Sequence, residues 1–299
     1  HHGAAYRRAV QKRSFADMGH PLVSGRYTHL FINGLYWGIY RIGERVDERW
    51  CSDHFGGLPE DWDVIAFGEG DYVRAGTGAA WDSLFNFVNS ADLTVPANYN
   101  TVANQVDLAN FIDYYLLHVH GDSEDWPHHN GYAIRDRVTP GAKWKHIVWD
   151  QEIAFDPLVP VNRLSSNNSR TPGQLLQRLR VNPEFRLLFA DRANKHLHNT
   201  GALSMTVEQA RWQSIANLLD KAIVAESARW GDTADETPYG TSVPAGLTLK
   251  RETHWLPQVN TVKNTHFPAL HNRGNANGTI AELIAANLWP SAEPPAFSQ

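Results

Sequence analysis

The stretch "HGDSEDWPHHNG", His120 to Gly131, gathers three carboxylates, three histidines and an asparagine into twelve residues. Taken alone it fits a metal site, a catalytic loop or a solvated turn, so its flanks must decide. Upstream, Asp107 can cap a helix in which Leu108, Phe111, Ile112, Tyr115, Leu116 and Val119 recur at 3.6-residue spacing and face a core. Downstream, "GYAIRD" (131–136) and "KWKHIVWD" (143–150) read as strands joined through a turn at Pro140-Gly141. The polar stretch is thus a loop between a helix and a hairpin.

Working outward, "THLFINGLYWGIYRIGERV" (28–46) is a second hairpin, because Asn33-Gly34 tolerates the positive φ angles of a tight turn. Asp47 then caps a short helix that Phe55-Gly56-Gly57 stops, ahead of a strand at "DVIAF" (63–67). Trp81, Leu84, Phe85 and Val88 form one helical stripe. From Thr171 onward the pattern is helical. Asn182-Pro183 opens one helix, and a capping box from Thr206 to Gln209 opens a long one through Ala228. A strand-rich N-terminal part (about 1–105) followed by a mainly helical part (106–288) implies an α+β class. Residues 289–299, rich in proline, read as a linker, and a chain that begins with His reads as a piece of a longer protein.

Composition narrows the function. A net charge of −5 over 299 residues leaves no basic stripe to track a phosphate backbone, which argues against nucleic acid as a partner. Cys51 is the single cysteine, so neither an intrachain disulfide nor a cysteine-based zinc site can form. No run approaches the roughly 18 apolar residues of a membrane span.

The chemistry lies in spacing. Kinase-type phosphoryl transfer uses a carboxylate to orient the acceptor hydroxyl, with an Asn and a second Asp holding metal ions on the phosphates. Asp125 and Asn130 in "DWPHHN" have the Asp-x-x-x-x-Asn spacing, and Asp150 ends the following hairpin as the second Asp does in kinases. An isolated match of this kind recurs by chance; helix, loop, hairpin and closing Asp together are far more selective.

The runs "LFINGLYWGIYRIGERVDERW", "DWPHHNGYAIRD" and "KWKHIVWDQEIAF" resemble the CotH kinase family of secreted and spore-coat atypical protein kinases. "NPEFRLLFADRANKHLHNTGALS" and "AIVAESARWGD" are similar to the helical part of its bacterial subgroup with a Trp-Asp-x-Glu motif. The resemblance implies a two-lobed kinase-like fold and a secreted or cell-surface location. It also implies ATP, Mg²⁺ or Mn²⁺, and transfer of the γ-phosphate to Ser or Thr of a protein. It carries the catalytic aspartate onto Asp125 and the metal ligands onto Asn130 and Asp150. Glu152 takes a supporting metal role, its side chain projecting to the same side as Asp150 on an extended segment. Glu44 matches the acidic residue of the hairpin motif, where it would orient a phosphate-contacting cation.

One departure stands out. Relatives often carry "DVxK" after the hairpin, whereas this chain has "DVIA", with Ala66 at the lysine position and Lys12 as the only earlier lysine. The family's more N-terminal strands are not evident either. The cation then comes from upstream sequence, or from Arg41, Arg45 or Arg74, or the protein is a weak or inactive kinase. Two other readings stay open: a pseudokinase-like surface binding module, and a metal-dependent hydrolase using His118, His120, His128, His129, Asp122 and Asp150. In simpler terms His118 is an imidazolium at a helix C-terminus, Asp122 and Glu124 are solvated, and of the adjacent His128 and His129 at most one faces a cleft.

Overall fold

In the computed structural model, residues 2–68, 72–156, 162–232 and 248–290 are described, with side chains from Tyr6 onward. The chain begins with helix α1 (His2–Asp17) and the hairpin β1 (Gly25–Ile32) and β2 (Leu35–Gly43). Asn33 and Gly34 take φ angles of 51° and 80°, the turn that the dipeptide predicts. Helix α2 (Glu48–Phe55) is capped by Asp47, which accepts from the backbone of Arg49 and Trp50, and it stops at Gly56. Strands β3 (Trp62–Ala66) and β4 (Val73–Ala75) and helices α3 (Ala79–Ser90) and α4 (Pro96–Ala103) complete the first part.

Helix α5 (Leu108–His120) is buried almost all round and leads into the polar loop, then β5 (Gly131–Asp136) and β6 (Lys145–Val148). The four-stranded sheet has the order β4-β3-β5-β6, antiparallel at each of the three pairings. Since β3 lies before residue 105 and β5 after it, this sheet joins the two expected parts into one layer. The fold is mixed α+β, with small sheets among many helices and consistent with a kinase-like architecture.

The second part contains α6 (Pro172–Leu179), α7 (Pro183–Leu197), α8 (Met205–Leu219) and α9 (Ala222–Trp230). Beyond residue 248 follow α10 (Leu256–Thr261), α11 (Phe267–His271) and α12 (Thr279–Ala285), with two π-type turns flanking α10. Asn182 caps α7 as expected. The long helix through Ala228 is instead two, and its N-cap is Ser204, not Thr206. At the break, the carbonyl and carboxylate of Asp220 accept from Arg251 Nε at 3.2 and 3.0 Å, a partner 31 residues away that local pattern cannot show.

Helix α1 has no counterpart in the sequence reading. Tyr6, Ala9, Val10 and Phe15 are buried, but so are Gln11, Lys12 and Ser14, so no apolar stripe marks the helix. Ser14 Oγ donates to Glu208 of α8 at 2.7 Å, and Tyr6 OH donates to the Trp212 carbonyl. Trp289 packs against the core beside His198, so the packed structure reaches into the expected linker; 291–299 lie outside the described residues.

Candidate active site

The loop after α5 is anchored from below. Trp126 is fully buried, donates its Nε1–H to Tyr114 OH at 2.8 Å, and stacks on His118 at 4.3 Å between centroids. Asp125 and Asn130 stay partly exposed on either side of this anchor. Asn130 Nδ2 donates to Asp125 Oδ2 at 2.8 Å, which fixes one carboxylate oxygen and leaves the asparagine carbonyl available to a cation. The other oxygen, Oδ1, faces His129 Nδ1 at 3.1 Å and His128 Nε2 at 3.7 Å. Both histidines therefore reach Asp125. The expectation that at most one of them faces a cleft assumed an extended backbone, and the segment is a series of bends.

Asp150 arrives through the sheet. Gly131 pairs with Val148, so Asn130 and Trp149 leave the same end of the β5–β6 ladder and Asp150 follows at once. The segment after β6 lies along the loop: Ser123 Oγ donates to Gln151 Oε1 at 2.5 Å, Gln151 Nε2 to the Trp149 carbonyl at 2.8 Å, and Phe155 N to the Gly121 carbonyl at 2.6 Å. It is not extended, since Asp150 has a φ of 49°. Glu152 nonetheless reaches the same place, because Arg8 of α1 pairs with Asp150 and Glu152 together.

The cations at this end come from α1. Lys12, four residues after Arg8 and so on the same helix face, is 3% exposed with its Nζ 4.5 Å from the centroid of the Trp149 ring. Burial pushes its ammonium down to about 7, and repulsion from Arg41 and Arg8 adds to this against the pull of Asp150 and Glu44. Arg41 sits at the base of the hairpin, where its guanidinium abuts Gly25 and Gly43. Glu44 accepts from Ser24 N at 2.7 Å and Trp50 Nε1 at 3.1 Å, with His54 at 3.4 Å. Burial works upward on its carboxyl, but these hydrogen bonds hold it below the usual range. Arg45 is exposed, and Arg74 is exposed on the edge strand β4.

Other expectations move. His118 and His120 are fully buried in α5. Burial pushes His118 down to about 3, so it is a neutral ring accepted into the core and not an imidazolium at a helix end. Asp122 is 2% exposed and lies 3.5 Å from His266, where a solvated carboxylate was expected. Of the hydrolase set, His128 and His129 alone fall in a group with metal-ligand spacing among the described residues, and its third member is Asp125, which that reading did not include. The far end of the first hairpin also turns away from the loop: Glu226 of α9 accepts from Ile39 N at 2.6 Å, and Trp230 Nε1 donates to the Trp37 carbonyl at 2.6 Å. Gly38 thus serves the packing on α9, whose Glu226 and Trp230 stand where a Cβ would go.

An Asp and an Asn on a helix–loop–hairpin, with a second acidic residue at the hairpin's end, is the arrangement of kinase-like phosphotransferases. The family comparison agrees. The chain belongs to the CotH kinase family, whose model, described as CotH kinase protein, matches residues 7–255. No curated protein matches the chain significantly. The matched span begins inside α1, so Arg8 and Lys12 fall within it, along with every candidate residue named above.

Proposed function

We propose that the protein is an atypical protein kinase that transfers the γ-phosphate of ATP to a Ser or Thr hydroxyl of a protein. The observation that carries this reading is the meeting of two halves. Asp125 and Asn130 stand at one end of the sheet, and Arg8 and Lys12 of α1 are drawn to the Asp150 segment that leaves that same end.

Asp125 accepts the acceptor's proton through Oδ1, while Asn130 holds Oδ2 and sets the carboxylate plane. The hydroxyl oxygen forms the new bond to γ-phosphorus as the bond to the bridging oxygen breaks and ADP leaves. Asp150, Glu152 and the Asn130 carbonyl offer hard oxygen donors, which fit Mg²⁺ or Mn²⁺. That Arg8 already bridges the two carboxylates supports the fit, since they form a place where positive charge is held. A divalent ion there would supply neutralisation of phosphate charge. Lys12 takes the phosphate-contacting role that Ala66 leaves open, with Arg8 and Arg41 beside it. Glu44 orients this cationic group from the hairpin base.

Retention of Asp125, Asn130 and Asp150 together favours catalysis over a binding-only module, which has no need of all three. The test is transfer from γ-labelled ATP with Mg²⁺ or Mn²⁺ to the protein itself or to a generic acceptor. Wild type is expected to label. Asp125→Ala should lose at least about 10²-fold with nucleotide binding kept, and Asp150→Ala should lose metal-dependent nucleotide binding as well. Nucleotide binding without transfer in wild type would refute the kinase reading in favour of the binding module.

A further inference from the structure

Two imidazoles and a carboxylate converge at Asp125, and the proposed phosphoryl transfer needs only the carboxylate. His129 Nδ1 and His128 Nε2 stand 3.1 and 3.7 Å from the same oxygen, and one ligand atom from each of the three residues lies within 4.8 Å of the others. A tetrahedral zinc ion with bonds of about 2.0–2.1 Å has ligand atoms roughly 3.3 Å apart, so these two edges straddle the required length. A hydrogen bond explains the His129 contact alone. At 3.7 Å the His128 contact is too long for one, yet it is close to a ligand edge.

The surroundings hold this geometry. Asn130 fixes Asp125 Oδ2 and leaves Oδ1 turned to the imidazoles, as an outer partner orients a ligating carboxylate. Behind them, Gly68 at φ 92° comes so close to the His129 ring and the His128 carbonyl that a Cβ there would overlap both. The three side chains are 36–40% exposed, so an ion can enter and a fourth position stays open to water or to a phosphate oxygen. Imidazole pairs select borderline transition metals over Mg²⁺, which prefers oxygen.

We propose that Asp125, His128 and His129 form a site for a transition-metal cation of the Zn²⁺ class, distinct from the Asp150–Glu152 carboxylates, and that its occupancy takes Asp125 out of phosphoryl transfer. The inhibitory half rests on the kinase reading above; the site itself does not. Zn²⁺ then turns the enzyme off by ligating the Oδ1 that would accept the hydroxyl proton, and Mg²⁺ does not compete for the imidazoles.

The experiment uses the full chain stripped of metal, Co²⁺ as an absorbing probe and Zn²⁺ by equilibrium dialysis. Expected is one tightly held equivalent with a tetrahedral-type Co²⁺ spectrum, displaced by Zn²⁺ but not by a hundredfold excess of Mg²⁺. His128→Ala and His129→Ala should each weaken binding at least tenfold, while Asp150→Ala keeps it. The histidines are surface-accessible, and unchanged circular dichroism of each variant shows that the fold persists. With labelled ATP, one equivalent of Zn²⁺ should lower wild-type transfer at least tenfold and lower that of either histidine variant much less. Equal metal binding by wild type and both histidine variants overturns the site. Zinc bound at the site with transfer unaffected overturns the inhibition. Binding that depends on the histidines, in a chain that transfers no phosphate even without zinc, supports the site and sinks the kinase reading instead.

Discussion

Acid should begin to destabilise this protein well above the pH at which carboxylates titrate, because its interior holds neutral histidines. His118, His120 and His146 are fully buried and His266 nearly so. Burial pushes His118 and His146 down to about 3, His266 and His271 to about 4, and His120 well below its ordinary value. In the unfolded chain each titrates near 6.5. As pH falls through 6.5 the unfolded chain therefore binds protons that the native protein cannot, and stability is lost until the folded values are reached. Two glutamates work the other way. Burial raises Glu282 to about 8, so below that value the native state holds a proton that the unfolded chain releases down to about 4.3, and burial raises Glu208 in the same direction. Five histidines, each roughly nine-tenths protonated in the unfolded chain over this range, against Glu282 and a smaller opposing contribution from Glu208 leave a net uptake of about three protons on unfolding between pH 6 and 5.

Each proton is worth about 1.4 kcal/mol per pH unit, so stability should fall by about 4 kcal/mol per unit. Against a common total of about 5–15 kcal/mol, half-unfolding is expected at roughly pH 3–5. Urea denaturation followed by tryptophan fluorescence at pH 7.5, 6.0 and 5.0 measures this directly. With a slope of about 3 kcal/mol/M the midpoint should drop by about 1 M or more between pH 6.0 and 5.0. His118→Phe keeps the stack on Trp126 and removes one proton, so the pH slope should flatten by about a third. Equal midpoints at pH 7.5 and 5.0, or an unchanged slope in His118→Phe, would refute the argument.

Asp113 is fully buried between Arg192, His20 and His196, where Arg192 Nε donates at 2.7 Å; burial works upward on its carboxyl, but these partners hold it far below the usual range. Asp113→Asn should cost about 3–5 kcal/mol by leaving the arginine unpaired, read as a lower urea midpoint at pH 7.5. Lys12→Met should lower phosphoryl transfer at least about 10²-fold without lowering the melting temperature, since it also removes a buried charge; a lower melting temperature with full activity would make Lys12 structural. Gly68→Ala places a Cβ onto the His129 ring and the His128 carbonyl at a φ of 92°, so transfer should fall at least about tenfold and the melting temperature should fall as well; full activity would show that the loop tolerates displacement.

What could be read in advance follows from how local each signal is. The β5–β6 hairpin, the α5 stripe and the Asp47 and Asn182 caps depend on residues within a turn or two of one another, and all appear as the pattern predicts. So do the places of Asp125 and Asn130 on the loop between α5 and β5, since a helix, a six-residue motif and a hairpin are all sequence-adjacent. The failures share the opposite character. Asp122 looks like a wet loop residue until His266, from a helix-rich segment 144 positions away, closes over it. Helix α1 is the sharpest case, because it is buried with Gln11, Lys12 and Ser14 facing other elements, and periodic reading finds helices by an apolar stripe that polar inward residues erase. One clue survived in the sequence. Arg8 and Lys12 are four apart, which puts two cations on one face of any helix that includes them, and a kinase-like loop lacking its lysine needs such a face. A strand is one place for such a cation, but charge balance asks only that a cation reach the carboxylates, and a helix packed across the sheet end can meet that demand as well as a strand.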